Sequence, residues 1–336
     1  MIKTKKKYGY IKKIVLSIMT VFILILFLEV VARIIYPFYS NYNTEMVRYT
    51  TMVKQVSDNP KLSHEHRPNS SARLYGVNIE VNSDGFRDNE YSVKKDKNTF
   101  RILALGDSIT FGWGVEFNHT FSEILEQRLN KIKPLKKYKK YEVINAGIGN
   151  YNIAMKLALL KEKGLKYDPD LILLQYYLND VEISEKKSKL NILRYSYFYA
   201  FLWDKFQNVK LRLFRGNDYK TYYMRLYEDN VIDKEMAKKS LYELIGISKE
   251  KKIKILIVIF PEFHNYEDYQ FSKATEFVFE IANSLDVPVL DLLPYYINYD
   301  PESIWVSYED AHPNILGHKI AAKYIYEKLI EEEYVK

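Results

Sequence analysis

The sequence predicts an α/β domain built on a five-stranded parallel sheet, preceded by one N-terminal transmembrane helix. From residue 100 onward, short apolar runs alternate with segments of helical periodicity. This alternation favours a parallel sheet that helices cover on both faces. Upstream, a long apolar stretch directly follows a basic N-terminus, which is typical of a membrane span. A chain of 336 residues has room for one such domain, an anchor and some insertions.

The positive charge of the chain is concentrated in its first 13 residues. The formal net charge is +7, and six lysines in this basic tail contribute six of those charges, which leaves +1 for everything that follows. Because the basicity belongs to the tail, it gives no reason to expect a nucleic-acid partner. The chain has no cysteine, which excludes disulfides, thiolate zinc sites and cysteine nucleophiles.

Residues 14–36 are predicted to form the membrane anchor. The fifteen residues 14–28 carry no charge, and a span needs ~20. Extension to Tyr36 reaches that length if Glu29 and Arg33, one helical turn apart, pair at the far interface. No small-x-small cleavage site follows the apolar run, so an uncleaved anchor is favoured over a signal peptide. The preceding lysines predict a single-pass protein of the cell membrane, with its N-terminus in the cytoplasm and the remainder outside.

Residues 37–98 are predicted to be a stalk followed by a small β-rich lead-in segment. The segment is polar, and a hairpin-like pattern at 77–81 precedes turn residues at 82–85. The run His-Glu-His at 64–66 resembles a pair of metal ligands, but no third ligand lies nearby in the sequence. We therefore interpret this run as a loop and predict neither a metal nor a cofactor.

Residues 99–336 carry the alternating pattern of the main domain. We expect buried strands at 102–105, 143–144, 171–176, 255–260 and 287–290, and helices at 120–131, 152–164, 233–250, 269–285 and 314–332. An insertion at 181–232 interrupts this pattern and is dense in aromatic and basic residues. Two interpretations of it stay open: a helical insertion packed on the core, or a lid or membrane-surface element near the ligand site.

Polar residues follow the predicted strands at the edge where a parallel sheet binds its ligand. They lie at 106–110 after the first strand, 145–149 after the second and 179–180 after the third, and a further group at 309–314 precedes the last helix. Acyl transfer through a serine needs a hydroxyl, a base, a group that orients the base, and donors for the oxyanion. This set of residues contains a candidate for each of these four roles.

The expected roles are as follows. Ser108 is the candidate nucleophile, His312 the base and Asp310 the acid that orients it. The backbone N–H groups of Ser108 and Gly147 and the side-chain amide of Asn179 are the candidate oxyanion donors.

The acid has an alternative in the adjacent residue. Glu309 lies three residues before His312, and Asp310 lies two residues before it. Asp310 is preferred because a shorter side chain in the same loop is easier to hold rigid. Pro313 is expected to keep His312 extended and to begin the last helix at its first position.

These blocks resemble the four motif blocks of the SGNH, or GDSL-type, hydrolase family. The match rests on the run 106–108, Gly147, Asn179 and the run 310–314, and it extends over residues 100–332. The resemblance implies a flavodoxin-like three-layer α/β/α sandwich. It also implies the activity of an esterase, lipase, carbohydrate deacetylase or O-acetyltransferase that uses no metal. The lead-in at 82–88 resembles that of bacterial membrane-anchored members.

Two positions depart from the common pattern of that family. Ile109 stands where many members have leucine, which is a conservative apolar change. Many members place the acid where this chain has Glu309. The spacing of Asp310 resembles a subset that includes alginate-acetylation proteins.

The leading functional prediction is a serine esterase that removes acetyl or another short acyl group from a cell-surface glycan, with a small ester as the other possible substrate. A glycan O-acetyltransferase with the same triad is an alternative, in which a sugar hydroxyl resolves the acyl-enzyme and a membrane protein supplies the acyl group. A non-catalytic, membrane-tethered glycan-binding or assembly protein is the third hypothesis.

Overall fold

The computed structural model describes residues 2–35, 38, 42–131, 138–183, 196–213 and 218–335. The chain divides into two compact units, of which the first comprises residues 1–51 and 188–215 and the second residues 52–187 and 216–336.

Helices and strands are numbered here in chain order within the described residues. The helices are α1 (Ile2–Ile35), α2 (Tyr42–Met52), α3 (Ser108–Phe111), α4 (Phe121–Lys131), α5 (Ile153–Glu162), α6 (Tyr197–Leu213), α7 (Asp218–Leu226), α8 (Ile232–Glu250), α9 (Ser272–Ser284), α10 (Leu293–Tyr296) and α11 (Ile315–Glu331). The strands are β1 (Lys54–Val56), β2 (His64–His66), β3 (Ser71–Leu74), β4 (Val77–Glu80), β5 (Thr99–Gly106), β6 (Lys140–Gly147), β7 (Leu171–Tyr176), β8 (Lys254–Ile259), β9 (Val289–Asp291), β10 (Trp305–Ser307) and β11 (Asp310–Pro313).

The first unit is dominated by the long helix α1. Its stretch Tyr10–Ile35 is 26 residues long, and it is apolar and long enough to cross a membrane. A signal sequence near an N-terminus meets the same criteria of length and composition. The predicted pairing within this stretch is confirmed, because Arg33 Nε donates to Glu29 Oε1 at 2.8 Å. The helix begins at Ile2, well before the predicted start of the span.

The second unit is built on a five-stranded parallel sheet with the strand order β6-β5-β7-β8-β9. All five predicted strands are confirmed, although the last is displaced to Val289–Asp291. Strand β5 and the edge strand β6 run in register to their carboxyl ends, where Gly106 lies opposite Gly147. This register brings the residues that follow β5 and β6 to the same edge of the sheet.

Alternating side chains of the sheet enter two separate cores. Leu103 and Leu105 of β5 belong to a core that includes the buried residues of α5, α8 and α9. Ile102 and Ala104 belong to a second core with α4 and α11. Because successive side chains of a strand point to opposite faces, the helices form one layer on each side of the sheet. The predicted three-layer α/β/α sandwich is confirmed.

The lead-in segment contains two short antiparallel ladders. Strands β3 and β4 form a hairpin, whose turn residues Tyr75 and Gly76 both have positive φ, as tight hairpins favour. The hairpin-like pattern predicted at residues 77–81 thus corresponds to β4, the second strand of this hairpin. The interpretation of residues 64–66 as a loop was wrong, because they form β2, paired with β1. His64 and His66 are two positions apart on that strand, and both are buried. Their side chains therefore share one face, as the two-residue period of a strand requires.

The predicted insertion at 181–232 contains α6 and α7, and its parts at 184–195 and 214–217 lie outside the described residues. Leu226 and Tyr227, at the end of α7, are buried in the core of the second unit. The hydroxyl of Tyr227 donates to the carbonyl of Leu178 at 2.9 Å. The helix α6 of the first unit differs, because it exposes several large apolar side chains. The end of α7 is thus packed on the core, whereas the interpretation of the insertion as a lid or membrane-surface element stays a prediction.

Candidate active site

Ser108 is the first residue of the short helix α3, directly after the turn that follows β5. Asp107 caps this helix, because its Oδ1 accepts the backbone N–H of Ile109 at 2.8 Å. The buried side chain of Gln175 holds the turn from β7, since its Oε1 accepts the N–H of Asp107 at 2.9 Å. Gly106 has an ordinary backbone angle, but a Cβ there would collide with the side chains of Thr110 and Gln175. Close packing therefore requires glycine at this position.

A continuous chain of hydrogen bonds joins the three predicted catalytic residues. The hydroxyl Oγ of Ser108 lies 2.8 Å from Nε2 of His312. On the other side of the ring, Nδ1 of His312 lies 2.5 Å from Oδ1 of Asp310. The backbone N–H of His312 also donates to that oxygen at 3.1 Å. This order of hydroxyl, imidazole and carboxylate is the arrangement of a Ser-His-Asp triad.

Asp310 is held by a residue that the sequence did not reveal. The indole N–H of Trp113 donates to Oδ2 of Asp310 at 2.7 Å, and both side chains are buried. Glu309, the alternative acid, is exposed and does not contact His312 within the described part of the chain. The geometry therefore selects Asp310 as the partner of His312.

The two halves of the acid–base pair shift each other's pKa. Burial raises the pKa of Asp310, but the adjacent His312 and the hydrogen bonds from His312 and Trp113 reverse this and leave the pKa below its usual value. Burial lowers the pKa of His312, but the charge and hydrogen bond of Asp310 outweigh burial and raise the pKa above its ordinary value. The carboxylate therefore stays ionised and makes the imidazole a stronger base.

His312 is presented by a short ladder, followed by a capped helix. The predicted extended backbone is confirmed, because β11 carries the histidine and pairs with β10. The expectation that Pro313 begins the last helix was wrong. Helix α11 begins at Ile315, and Asn314 is its N-cap, with Oδ1 accepting the N–H of Leu316 at 2.9 Å. The Asn314 amide also donates to the carbonyl of Trp305 at 3.0 Å, which ties β10 to the start of α11.

The predicted oxyanion donors follow three adjacent strands. Ser108 is the first residue of α3, where a backbone N–H has no intrahelical acceptor, and no described residue accepts it. Asn179 is half-buried in the short turn after β7, and its Oδ1 has no partner among the described residues. Gly147 differs, because its N–H donates to Oδ1 of Asn145 at 3.1 Å. A Cβ on Gly147 would collide with the backbone of Phe111, so close packing explains this glycine, and its role as a donor stays a prediction.

The model of the GDSL-like Lipase/Acylhydrolase family matches residues 104–320, about two thirds of the chain. The chain belongs to this family. Family members are ester hydrolases, and the chain is an enzyme that acts on ester bonds. The predicted resemblance is confirmed.

Solved structures of several ester hydrolases are similar to the chain. The acetyl xylan esterase AlAXEase is 19% identical, with a TM-score of 0.45 over 68% of this chain and 100% of that one. A lipase/acylhydrolase from Enterococcus faecalis is 13% identical, with a TM-score of 0.44 over 68% and 95% of the two chains. A catalytic mutant of Axe2, an acetylxylan esterase from Geobacillus stearothermophilus, is 15% identical, with a TM-score of 0.47 over 68% and 94%. No curated protein sequence matches the chain.

The GDSL-like domain receives support from the lead-in segment, which lies before the matched residues. Lys54 Nζ donates to the carbonyl of Gly149 at 2.6 Å, and His64 Nε2 lies 2.9 Å from the same oxygen. The next residue, Asn150, is exposed and has a positive φ of 68°. Sequence analysis missed these contacts, because nothing in the polar lead-in points to the loop after β6.

A buried ion pair lies under the GDSL-like site. Lys156 of α5 donates to Oδ2 of Asp180 at 2.6 Å, and both side chains are fully buried. Burial raises the pKa of Asp180 to about 7, although the charge of Lys156 opposes this rise. The same oxygen accepts the N–H of Tyr177 at 2.8 Å. The pair therefore anchors the turn that carries Asn179.

The remaining histidines of the enzyme have other surroundings. His318 is buried, and its Nδ1 accepts the backbone N–H of Phe121 at 3.1 Å, so it packs in the core. His264 is exposed beyond β8. Among the described residues, no three His, Asp or Glu side chains are placed to hold a metal ion.

Proposed function

We propose that the chain is a membrane-anchored serine esterase that removes acetyl or other short acyl groups from a cell-surface glycan through an acyl-enzyme on Ser108. The observation that carries this proposal is the unbroken chain of hydrogen bonds from Ser108 through His312 to Asp310. The hydroxyl and the base are already within the distance at which a proton is transferred.

The reaction proceeds in two balanced halves. In the first, His312 takes the proton of Ser108 while Oγ attacks the ester carbonyl, and the imidazolium then protonates the departing alkoxide. In the second, His312 takes a proton from water, the hydroxide attacks the acyl-enzyme, and the proton returns to Ser108. Asp310 holds the reactive tautomer and stabilises the imidazolium.

The oxyanion is assigned to the N–H of Ser108 and the side-chain amide of Asn179. Each donor of this kind lowers the barrier by about 3 kcal/mol. In support, the Ser108 amide has no acceptor within the described chain, and Asn179 follows the strand next to β5. Gly147 remains a candidate only if its N–H, which donates to Asn145 in this structure, donates to the substrate oxyanion instead.

The domain organisation and location form part of the proposal. We assign residues 1–13 to a cytoplasmic tail, 14–36 to the anchor, 37–98 to the stalk and lead-in segment and 99–336 to an extracytoplasmic hydrolase domain with an insertion at 181–232. The apolar stretch of α1 and the lysines before it support this orientation. An enzyme in this position meets acylated surface glycans as its nearest substrates.

The test compares the purified full chain with Ser108→Ala and with Ser83→Ala, a matched serine in the lead-in segment. We expect wild type and Ser83→Ala to hydrolyse p-nitrophenyl acetate at the same rate, and Ser108→Ala to show only the background rate. A fluorophosphonate should label all but Ser108→Ala. Equal hydrolysis by all three proteins would refute the assignment of Ser108. Addition of a sugar acceptor, with analysis of the products, distinguishes hydrolysis from acyl transfer.

A further inference from the structure

A second carboxylate–imidazole pair lies at the ligand-facing end of the sheet. Nδ1 of His264 bonds to Oε1 of Glu262, and the His264 backbone N–H donates to Glu262 Oε2 at 3.0 Å. The Glu262 side chain is buried, whereas that of His264 is 58% exposed. Because Glu262 occupies Nδ1, the ring presents Nε2 outward, and no described residue bonds to that nitrogen.

Two aromatic rings flank this imidazole. The ring of Trp305 lies 5.2 Å from the His264 ring at an angle of 61°, and the ring of Tyr219 lies 6.2 Å away at 65°. The indole N–H of Trp305 donates to the carbonyl of Phe263 at 2.9 Å, which fixes the orientation of the indole. Tyr219 is 49% exposed. The three rings therefore form a partly exposed surface in which the indole orientation is fixed by a hydrogen bond.

This surface adjoins the acyl-transfer centre. In the β10–β11 ladder, Trp305 lies opposite Pro313, the residue that follows His312. The hydrogen bond to Glu262 raises the pKa of His264, burial lowers it, and the charges of Glu262 and of Asp310 contribute to the rise. Trp305 thus lies on the strand paired with the one that carries His312, and the His264 ring lies beside Trp305.

We propose that Trp305, His264 and Tyr219 form a subsite that binds a sugar ring of the acylated substrate. A pyranose has apolar C–H faces and a rim of hydroxyls. It therefore matches aromatic rings beside an imidazole that exchanges hydrogen bonds. Glu262 is a positioning residue, because its buried carboxylate fixes the imidazole. This subsite rests on the proposed esterase function and adds to it the residues that recognise the sugar of the substrate.

The experiment compares two esters on the full chain. For an acetylated xylo-oligosaccharide, we expect His264→Ala and Trp305→Ala to raise KM about tenfold, which corresponds to ~1.4 kcal/mol of binding. For p-nitrophenyl acetate, which has no sugar, KM and kcat should stay within about twofold of wild type, which also shows that the variants fold. Tyr242→Ala, at an exposed tyrosine of α8, is the matched control and should change neither ester.

The outcomes separate the subsite from the esterase activity. An unchanged KM for the oligosaccharide in both variants would overturn the subsite while leaving the function intact. Ser108-dependent hydrolysis of p-nitrophenyl acetate, with neither hydrolysis nor binding of acetylated xylo-, manno- and chito-oligosaccharides, would also overturn it. Absence of any Ser108-dependent hydrolysis would instead refute the proposed function.

An independent observation concerns α6 in the first unit. Glu29 is an acidic residue within the apolar stretch of α1, and it accepts four hydrogen bonds. One comes from Arg33, one from Ser196 Oγ at 2.9 Å, and two from the backbone N–H groups of Tyr197 at 3.1 Å and Phe198 at 3.0 Å. The last two are first-turn groups of α6 that lack intrahelical acceptors. Glu29 therefore caps α6 and joins it to α1.

The helix α6 carries an apolar stripe with helical spacing. Tyr199, Leu202, Trp203 and Phe206 follow the spacing i, i+3, i+4, i+7, and they are 38% to 60% exposed. The rings of Trp203 and Phe206 lie 6.1 Å apart. Residues at this spacing share one face of a helix, so the stripe is continuous.

We infer that this stripe contacts the lipid surface. Glu29 lies six residues before the end of α1, about 9 Å along the helix axis, so α6 begins where the apolar stretch ends. Aromatic rings beside lysines, such as Lys205 over the ring of Phe201 at 5.3 Å, suit the headgroup region. The attachment to a membrane-length helix is what selects lipid over a second copy of the chain.

Brominated lipids test this contact through tryptophan emission. The chain has three tryptophans, and only Trp203 belongs to α6. In liposomes, brominated phosphatidylcholine should quench wild type and Trp305→Phe, and Trp203→Phe should lose most of the quenching. Equal quenching of wild type and Trp203→Phe would overturn the inference. If the emission is not quenched by the brominated lipid but changes with protein concentration, the stripe binds a second copy of the chain, and the inference is overturned.

Discussion

An Asp310→Asn variant tests the triad most sharply, with Glu309→Gln as its neighbouring control. Asp310 accepts two hydrogen bonds from His312 and one from Trp113. Asparagine still accepts the indole N–H through its oxygen, but its amide nitrogen cannot accept from Nδ1–H of His312. The substitution therefore removes the orienting interaction while nearly preserving shape and volume.

The expected loss of activity follows from the two bonds to His312. A hydrogen bond to a charged group contributes about 1.5–3 kcal/mol, so loss of both removes about 3–6 kcal/mol from the stabilisation of the transition state. Each 1.36 kcal/mol changes the rate about tenfold. We expect kcat to fall about 10²- to 10⁴-fold in Asp310→Asn and to stay within about twofold in Glu309→Gln.

The pH profile provides a second, independent readout. Only neutral His312 can take the proton of Ser108, so activity falls as pH drops through the pKa of His312. In wild type that pKa lies above its ordinary value because of Asp310, and the acid limb should lie above pH 6.5. In Asp310→Asn only the charge of Asp107 still opposes the effect of burial, and the limb should move to lower pH. A loss of activity in Glu309→Gln as large as in Asp310→Asn, or an unmoved limb, would refute the reasoning.

Three further predictions concern the supports of the site. Lys156→Met leaves Asp180 buried without its partner and should lower the free energy of unfolding by about 3–5 kcal/mol in urea at pH 8. The loss should shrink toward pH 5, where Asp180, whose folded pKa is about 7 even with the lysine, becomes neutral. Gly147→Ala forces a Cβ against Phe111 and should lower the free energy of unfolding in urea by about 1–3 kcal/mol. Gly246→Ala is the control, because a Cβ there meets open space, and it should not lower the free energy of unfolding. Lys54→Met removes a charged donor from the Gly149 carbonyl and should lower kcat for p-nitrophenyl acetate about tenfold, and an unchanged kcat would show that the loop does not depend on it.

Local sequence signals were sufficient for much of the fold and for the triad. The strands around Leu105 and Leu173 are continuous apolar runs, and a buried parallel strand has this composition wherever its partners lie. Ser108 and His312 were recognisable because Ser108 follows a predicted strand and His312 precedes the predicted last helix. The choice between Asp310 and Glu309 also followed from a local property, the length of the side chain.

The supports of the site could not be predicted from local patterns. Trp113 contacts Asp310 across 197 residues, and Lys54 contacts Gly149 across 95. A single sequence contains no signal for such pairs. The error at Pro313 had a different cause. Proline suits the first helical position, but the next residue, Asn314, can cap the helix with its own side chain, and the capped arrangement prevails.

The contacts of Lys54 and His64 with Gly149 bear on where the enzyme begins. The family model matches from residue 104 onward, yet the loop beside the nucleophile is held by Lys54 and His64, which lie well before that point. A shortened protein that starts at residue 99 would keep every motif of the family and lose that brace, whereas one that starts at residue 52 would keep both. We therefore expect the smallest functional enzyme to begin near residue 52, before the portion that the family model matches.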